Sequence, residues 1–553
     1  MRRLAAVAGL VLGCGSDRDE APPGVLTVVQ EQQASWVRNF NPLVVSGSAR
    51  WPSACGIHEP MMIFNRMTGV WTPWLATGYA WEDDERTLRF TTRDGVKWSD
   101  GAPFSAADVV FTLRLLRDHP ALDTSGVWRR VVDVEAPDAS TVVVRFGEPY
   151  VPGLAHIAHL PIVPAHVWGA VADPVTFTNP EPVGTGPFTE VRVFRNQVWE
   201  LGRNPHYWQE GRPAVEALRF PAMPSNDQAN LALIRDEIDW AGNFVPAIDR
   251  IYVGEDPEHH HYWFPPIGSM IFLYPNTTRA PLDDARVRKA LSMAVDRALV
   301  VKVGLYDYAE PADGSGLSDV FAGWRDRAPG ADADWVRHDV ARAAALLDEA
   351  GLRLGPDGVR RRADGSPLTL SVIVPAGWSD WVRSAQVVVA NLRSVGVDAK
   401  LQALDFSAWM ERLTRGDFDL SLGWSSEGVT PHVVYQGLMS AAAARPVGEV
   451  AATNWHRFAD PAVDELLDAF ERTSDPDEQR RLVHAMQARF VREAPAIPLF
   501  PAPSWGEYST SRFTGFPSAD DPYAGLSPNL SPDPLLVLTR LVPVTERQLT
   551  QAD

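Results

Sequence analysis

Tryptophan is the residue type whose placement in this chain points most clearly to chemistry. There are 20, against 11 tyrosines. Five of them, Trp378, Trp381, Trp424, Trp455 and Trp505, stand at expected strand ends or in loops with Gly, Ser or Asn close by. Binding residues concentrate in such loops. An indole is the largest flat apolar side chain, and a sugar ring has an apolar face of C–H groups bounded by hydroxyls. Stacked indoles can take the face while planar polar groups satisfy the rim. Glu427 and Ser425 share a loop with Trp424 and could supply that rim. Trp36, with Gln33 and Asn39, follows the first expected strand and forms a further candidate group.

Groups that would break bonds are harder to assemble. His259, His260 and His261 invite a metal. Adjacent side chains project in different directions, however, so three in a row do not cap one ion. No Cys or carboxylate spacing accompanies them, and a solvated loop is the expectation. Glycoside hydrolysis needs two carboxyl groups roughly 5–9.5 Å apart. Glu427 and Glu507 are available, but nothing in the sequence pairs them. No HExxH, P-loop, GxSxG or dinucleotide-binding motif occurs. No catalytic residue, cofactor or metal ligand is assigned.

The elements that must position these residues alternate between strand and helix, which predicts an α/β protein. Residues 24–30 (GVLTVVQ) read as a strand. Residues 88–98 read as strand, turn, strand, and Ser105 with Asp108 offers a capping box for a helix over 109–116. Residues 131–134 and 141–146 read as a hairpin. Apolar spacing predicts helices over 225–240, 283–301, 338–350, 381–395, 406–413, 462–470 and 477–492, with strands at 191–201, 397–404 and 497–500.

The chain has 553 residues, enough to bury several cores. With 45% hydrophobic and 22% charged residues it is not a disordered chain. A net charge of −19 argues against a nucleic-acid partner or a polybasic membrane contact. Two cysteines exclude a disulfide scaffold. The start, MRRLAAVAGLVLGC, has two arginines and an apolar run too short to span a bilayer, so it reads as an export signal. Residues 11–14 (VLGC) resemble the lipobox of bacterial lipoproteins, which implies lipidation of Cys14 and membrane attachment through that lipid. Cys55 is then left without a partner.

Three ordered blocks carry a resemblance over almost the whole chain. They are LATGYAW at 75–81 with DGVKWSDGAPF at 94–104 and ADVV at 107–110; VGTGPF at 183–188 with RNPHYW at 203–208; and NTT at 276–278 with DARVRKAL at 284–291 and Asp296-Arg297. They resemble the family 5 extracellular solute-binding proteins of ABC importers, whose ligands include peptides, nickel and oligosaccharides. The resemblance implies an exported, monomeric binding protein, not an enzyme. It implies a two-lobed α/β fold of the periplasmic-binding-protein type, with an extra inserted domain, closing by hinge motion. Lobe one would comprise 22–58, 180–268 and 498–553, the insert 59–179 and lobe two 269–497, with residues 1–14 a lipoprotein signal. An ABC permease is the implied partner. Trp74, Trp81, Trp98 and Trp208 lie within blocks common to the family and are assigned to packing. Trp240, Trp335 and Trp409 are assigned to the core from their spacing.

Peptide binders of this family carry an Asp-Pro pairing after a lobe-two strand, where the carboxylate holds the peptide's amine. Here residues 422–431 read LGWSSEGVTP, and Glu427 is the only carboxylate. That loop, GWSDW at 377–381, TNWHR at 453–457 and PSWGEY at 503–508 resemble the β-oligosaccharide binders of the family. The expected ligand is an oligosaccharide, β-linked and cello-oligosaccharide-like. An oligopeptide is the alternative.

Overall fold

The computed structural model describes residues 22, 24–44, 56–326 and 331–544. Cys14, Cys55 and the lipobox-like segment lie outside the described residues. Three sheets organise the chain. The first has seven strands in the order His260–Tyr262, Glu507–Ser509, Trp240–Ala241, Val25–Val29, Ala217–Pro221, Val198–Arg203 and Phe188–Arg195. Its central strand, Val25–Val29, is buried along its whole length and runs parallel to both neighbours. The second sheet has five strands in the order Asp398–Leu404, Thr369–Pro375, Leu420–Trp424, Pro266–Pro275 and Ile497–Pro503. Its Thr369–Pro375 strand is parallel to both neighbours. The third is a four-stranded antiparallel sheet built from residues 76–146, and the Ala106–Asp118 helix packs on it. That helix begins with the predicted capping box, in which the Ser105 N–H donates to Asp108 Oδ2 at 3.0 Å.

Each sheet has its own apolar core. Trp98, Trp240, Trp335 and Trp409 are each less than 2% exposed, as assigned from sequence. Trp74 is buried, and Trp81 and Trp208 are half-buried against the core of the four-stranded part.

The connections between the parts differ in kind. The four-stranded part joins the seven-stranded part through apolar and buried polar contacts. Leu535 is buried in its core. Glu59 accepts hydrogen bonds from Trp74 Nε1 at 2.7 Å and Tyr207 OH at 3.1 Å. Its contact with the five-stranded part is ionic. Arg130 pairs with Glu471 at 2.6 Å and with Asp468, Glu148 pairs with Arg472 at 2.7 Å, and the Val151 N–H donates to Glu471 O at 2.8 Å. Between the two large sheets the chain crosses as a paired ribbon, in which Pro266 faces Pro503 and the Trp263 N–H donates to Gly506 O at 2.9 Å.

Three local expectations are corrected. The helix expected over 283–301 is two helices, Ala285–Ala294 and Arg297–Leu305. Val295 is extended, and Asp296 caps the second helix by accepting the Leu299 N–H at 3.0 Å. The helix expected over 225–240 ends at Ile234. Asp236 then turns the chain at φ 56°, and Trp240 lies on a strand instead. The second strand expected within 88–98 shrinks to one bridge, Lys97 to Pro103.

Candidate functional site

Ligand sites in open α/β sheets lie beyond the carboxyl ends of the parallel strands. In the five-stranded sheet those ends are Pro375 and Trp424, on adjacent parallel strands. Beyond Pro375 the chain turns through Gly377 and Trp378 into the Ser379–Ser394 helix. Beyond Trp424 it enters the Ser425–Thr430 loop. In the seven-stranded sheet the central strand delivers Glu31 and Gln32 at its carboxyl end. Two adjoining cavities lie at these ends: the smaller between the two sheets, the larger between the five-stranded part, the four-stranded part and residues 529–531.

The larger cavity holds about 460 Å³ and is lined by Arg66, His159, Trp424, Glu427, Asn454 and Trp455, among others. The smaller holds about 180 Å³ and is lined by Gln32, Asn243, Trp378, Asp380, Trp381 and Trp505, among others. Trp424, Glu427 and Asn529 line both. All five tryptophans singled out in loops therefore come together.

They do not all offer the same surface. Trp378, Trp424 and Trp505 are half-buried and can present a ring, whereas Trp381 and Trp455 are about 5% exposed and act as supports. Trp424 meets Trp455 edge-on, with centroids 5.4 Å apart at 89°, and Trp378 meets Trp381 likewise at 4.8 Å and 88°. Trp409 backs Trp424 at 5.5 Å. Edge-to-face packing of this kind fixes ring orientation. Trp505, at the second crossing, is held by Phe264 at 4.9 Å and Phe244 at 5.4 Å.

Polar atoms complete the walls. Among residues lining the cavities, Gln32 Nε2, Asn243 Oδ1, Trp378 Nε1, Asn454 Oδ1, Trp455 Nε1, Ser504 Oγ and Asn529 Oδ1 are buried without a protein partner. Buried polar atoms ordinarily have partners, so this concentration marks where a ligand or water would bond. Ser425 lines the larger cavity, but its hydroxyl accepts the Met270 N–H at 3.0 Å and donates to Ser426 O at 3.1 Å. It fixes the loop through these bonds. Asp380, in the first turn of its helix, accepts from Asn226 Nδ2 at 3.3 Å. Burial pushes its pKa up to about 6, against the pull of the Trp381 N–H.

Glu427 is exposed in its loop, but it is not free. It is ion-paired with Arg66, which reaches in from the four-stranded part. Arg66 also faces the wholly buried Asp533 at 3.5 Å and donates to Ser531 O at 3.2 Å. His159, on the same wall, accepts the Phe64 N–H through Nε2 at 3.1 Å. Burial, aided by the Arg66 charge, pushes its pKa down to about 3, so it is neutral at physiological pH.

The other candidates lie elsewhere. Trp36 is 6% exposed and packs edge-on against Trp199 in the core of the seven-stranded part. Neither it nor Gln33 nor Asn39 lines either cavity. Glu507, the second carboxylate considered for hydrolysis, is wholly buried and accepts the Asn243 N–H at 3.2 Å. It too lines neither cavity, and burial drives its pKa upward. The histidine run is not a solvated loop, because His260 is 1% exposed on an edge strand. Its Nδ1 bonds Tyr252 O at 2.9 Å and its Nε2 meets Asp236 at 3.3 Å. Asp236, Asp256 and His260 thus approach one another, but both ring nitrogens already have partners.

The parts also touch directly across the cavities. The Asn226 N–H donates to Gly377 O at 3.0 Å, and a Cβ at position 377 would lie 2.6 Å from Pro224 O. Only glycine fits such an approach.

A model of the bacterial extracellular solute-binding proteins, family 5, matches residues 70–444. The chain belongs to this family. It is a solute-binding protein of the class that serves ABC importers, and members of the family are binding proteins rather than enzymes. Protein XP55 of Streptomyces lividans is 31% identical over 415 residues, spanning 74% of this chain and 72% of that protein. Two solved structures share the fold. One is the mannohexaose-bound periplasmic oligopeptide-binding protein of Thermotoga maritima, with TM-score 0.86 at 23% identity over 94% of this chain and 99% of that one. The other is the oligopeptide-binding protein AppA of Bacillus subtilis with a nonapeptide, with TM-score 0.80 at 18% identity over 95% and 99%. The expected periplasmic-binding-protein-like α/β fold is thereby established. Among the described residues no helix is long and apolar enough to cross a membrane.

Proposed function

We propose that the protein captures an oligosaccharide, β-linked and cello-oligosaccharide-like, between its two large lobes and delivers it to an ABC permease. The observation that carries this reading is the set of half-buried indoles Trp378, Trp424 and Trp505, locked by Trp381, Trp455 and Phe264 beside buried polar atoms that lack partners. Indole faces accept sugar C–H faces, and the unpartnered amide and indole groups suit hydroxyls. The fold itself does not choose the ligand, since the Thermotoga maritima protein holds mannohexaose and AppA holds a nonapeptide. Side chains must choose. The one carboxylate on the larger cavity's wall, Glu427, already has Arg66 as its counter-ion, which disfavours capture of a peptide's amine.

In this reading residues 22–58, 180–268 and 498–553 form lobe one, 59–179 the insert and 269–497 lobe two. The paired crossings at Pro266 and Pro503 act as the hinge. The closed form, bridged by ligand, is what the permease recognises. Lipidation of Cys14 tethers the monomer to a membrane, and loss of lipid labelling in Cys14→Ser would support that part alone. The test of the ligand is a thermal-shift panel of cello-, xylo- and manno-oligosaccharides against di- to pentapeptides. A ligand specific to the native state adds about 2.7 kcal/mol at a hundred times Kd. Shifts with sugars are expected, and shifts with peptides alone would overturn the proposal.

A further inference from the structure

We infer that Arg66 is a specificity-determining residue, which cancels the Glu427 charge on the wall of the larger cavity and so restricts that cavity to uncharged ligand groups. The ionisable side chains lining this cavity are Arg66, His159, Glu427 and Tyr274, and burial keeps the Tyr274 phenol protonated. His159 uses its Nε2 to accept the Phe64 N–H and is neutral. Arg66 and Glu427 face each other directly, so the two charges cancel. The guanidinium is not free to swing away. Its Nη2 donates to Ser531 O at 3.2 Å, and its Nε faces Asp533 at 3.5 Å from a side chain with no exposure. Asp533 in turn accepts the Gly525 N–H at 2.8 Å and lines neither cavity.

The pair also joins separate parts of the chain. Arg66 follows the Met62–Asn65 strand of the four-stranded part, Glu427 follows the Leu420–Trp424 strand of the five-stranded sheet, and Asp533 begins a helix near the C-terminal end. The Glu427 side chain is 29% exposed, so solvent screens it only in part and an unpaired carboxylate there still attracts a cation. Without Arg66, Glu427 would therefore select ammonium-bearing ligands. The neutral character of the larger cavity would then be supplied by one residue from outside both large sheets.

This inference rests on the oligosaccharide reading for its choice of probes. The test compares a cello-oligosaccharide with a fully deacetylated chito-oligosaccharide of equal length, which keeps the β-1,4 backbone and adds ammonium groups. Each is titrated calorimetrically into the wild type, Arg66→Gln and Arg66→Gln/Glu427→Gln, with folding checked by circular dichroism. The wild type is expected to prefer the neutral sugar. Arg66→Gln should move the affinity ratio at least tenfold toward the ammonium sugar, and the double substitution should restore it. The double variant also controls for the loss of Arg66 from Asp533, because both variants lack that arginine and differ only in the Glu427 charge. Wild-type binding of the neutral sugar, with a ratio unmoved within threefold in Arg66→Gln, overturns the role of Arg66 and leaves the sugar reading standing. Binding of the ammonium sugar by Arg66→Gln alone supports Arg66 and overturns the neutral-sugar reading. No binding of either sugar by any of the three proteins overturns both.

Discussion

Trp424 is the aromatic side chain shared by the two cavities, and its replacement by Ala is the most informative single change. Truncating an aromatic anchor at the centre of a binding surface costs about 2 kcal/mol or more, which is roughly a 30-fold rise in Kd. The same change also removes packing. Trp424 lies within 6.1 Å, centroid to centroid, of Trp378, Trp381, Trp409 and Trp455. Core Trp→Ala changes cost roughly 3–5 kcal/mol of stability, and a half-buried ring belongs at the lower end. Trp409→Phe separates the two effects. Trp409 belongs to the same indole cluster, is wholly buried, donates through Nε1 to Ser421 Oγ at 3.1 Å and lines neither cavity. Its substitution should cost about 1–3 kcal/mol of stability through lost volume and one lost hydrogen bond, with Kd within threefold of wild type. Isothermal titration at a temperature where all three proteins are folded reads the affinity, and urea unfolding reads the stability. A folded Trp424→Ala with Kd within threefold of wild type would refute the reasoning. So would equal affinity losses in the two variants, because packing alone would then explain both.

Other consequences follow from the ionic and polar contacts between parts. Arg130→Ala strips the counter-ion from Glu471, whose side chain is 7% exposed, and an unmet charged group of this kind costs roughly 1–3 kcal/mol. If the contact forms on closure, affinity should fall about tenfold and the ligand-bound radius of gyration should grow in small-angle scattering; unchanged values in both would deny it that role. Asn226→Ala removes the donor to Asp380 across the smaller cavity and should weaken binding by about 1–2 kcal/mol, so a wild-type Kd in calorimetry would count against a bridging role. Burial raises the Glu59 pKa from its ordinary 4.5 to about 7. A raised carboxyl pKa gives stability that is full below 4.5 and lost as pH rises through 7. Glu59→Gln should therefore gain on wild type by up to roughly 3 kcal/mol between pH 4.5 and 7 in urea unfolding, and a pH-independent difference would contradict the assignment.

What could be read from the sequence was local. The capping box at Ser105, the hairpin at 131–146 and the helices expected over 338–350, 381–395, 406–413, 462–470 and 477–492 follow from short-range rules, and the structure keeps them. The break at Val295–Asp296 was missed because apolar spacing carries on through it, although Asp296 followed by Leu299 is an N-cap arrangement. Trp36 shows the limit for site residues. Its loop position suggested binding, yet the ring fills the core beside Trp199. Glu31 and Gln32, directly after the central parallel strand, are the residues that reach the cavity. The rule that ligands sit beyond carboxyl ends of parallel strands would have favoured them over Gln33, had the pairing of that strand been known. Arg66, Asn226, Asn243 and Asn529 left no signal in the sequence, because each enters the site from a distant segment whose placement depends on the assembled fold.

In the proposed function, sugars stack on the Trp378, Trp424 and Trp505 faces between the two large sheets. A crystal structure with the oligosaccharide that gives the largest thermal shift tests it most directly. Sugar rings should lie against Trp424 and extend from the larger cavity into the smaller, with hydroxyls bonded to groups such as Asn454, Asn529 and Gln32. A ligand bound elsewhere, or a peptide occupying these cavities with its amine on Glu427 and Arg66 displaced, would contradict it.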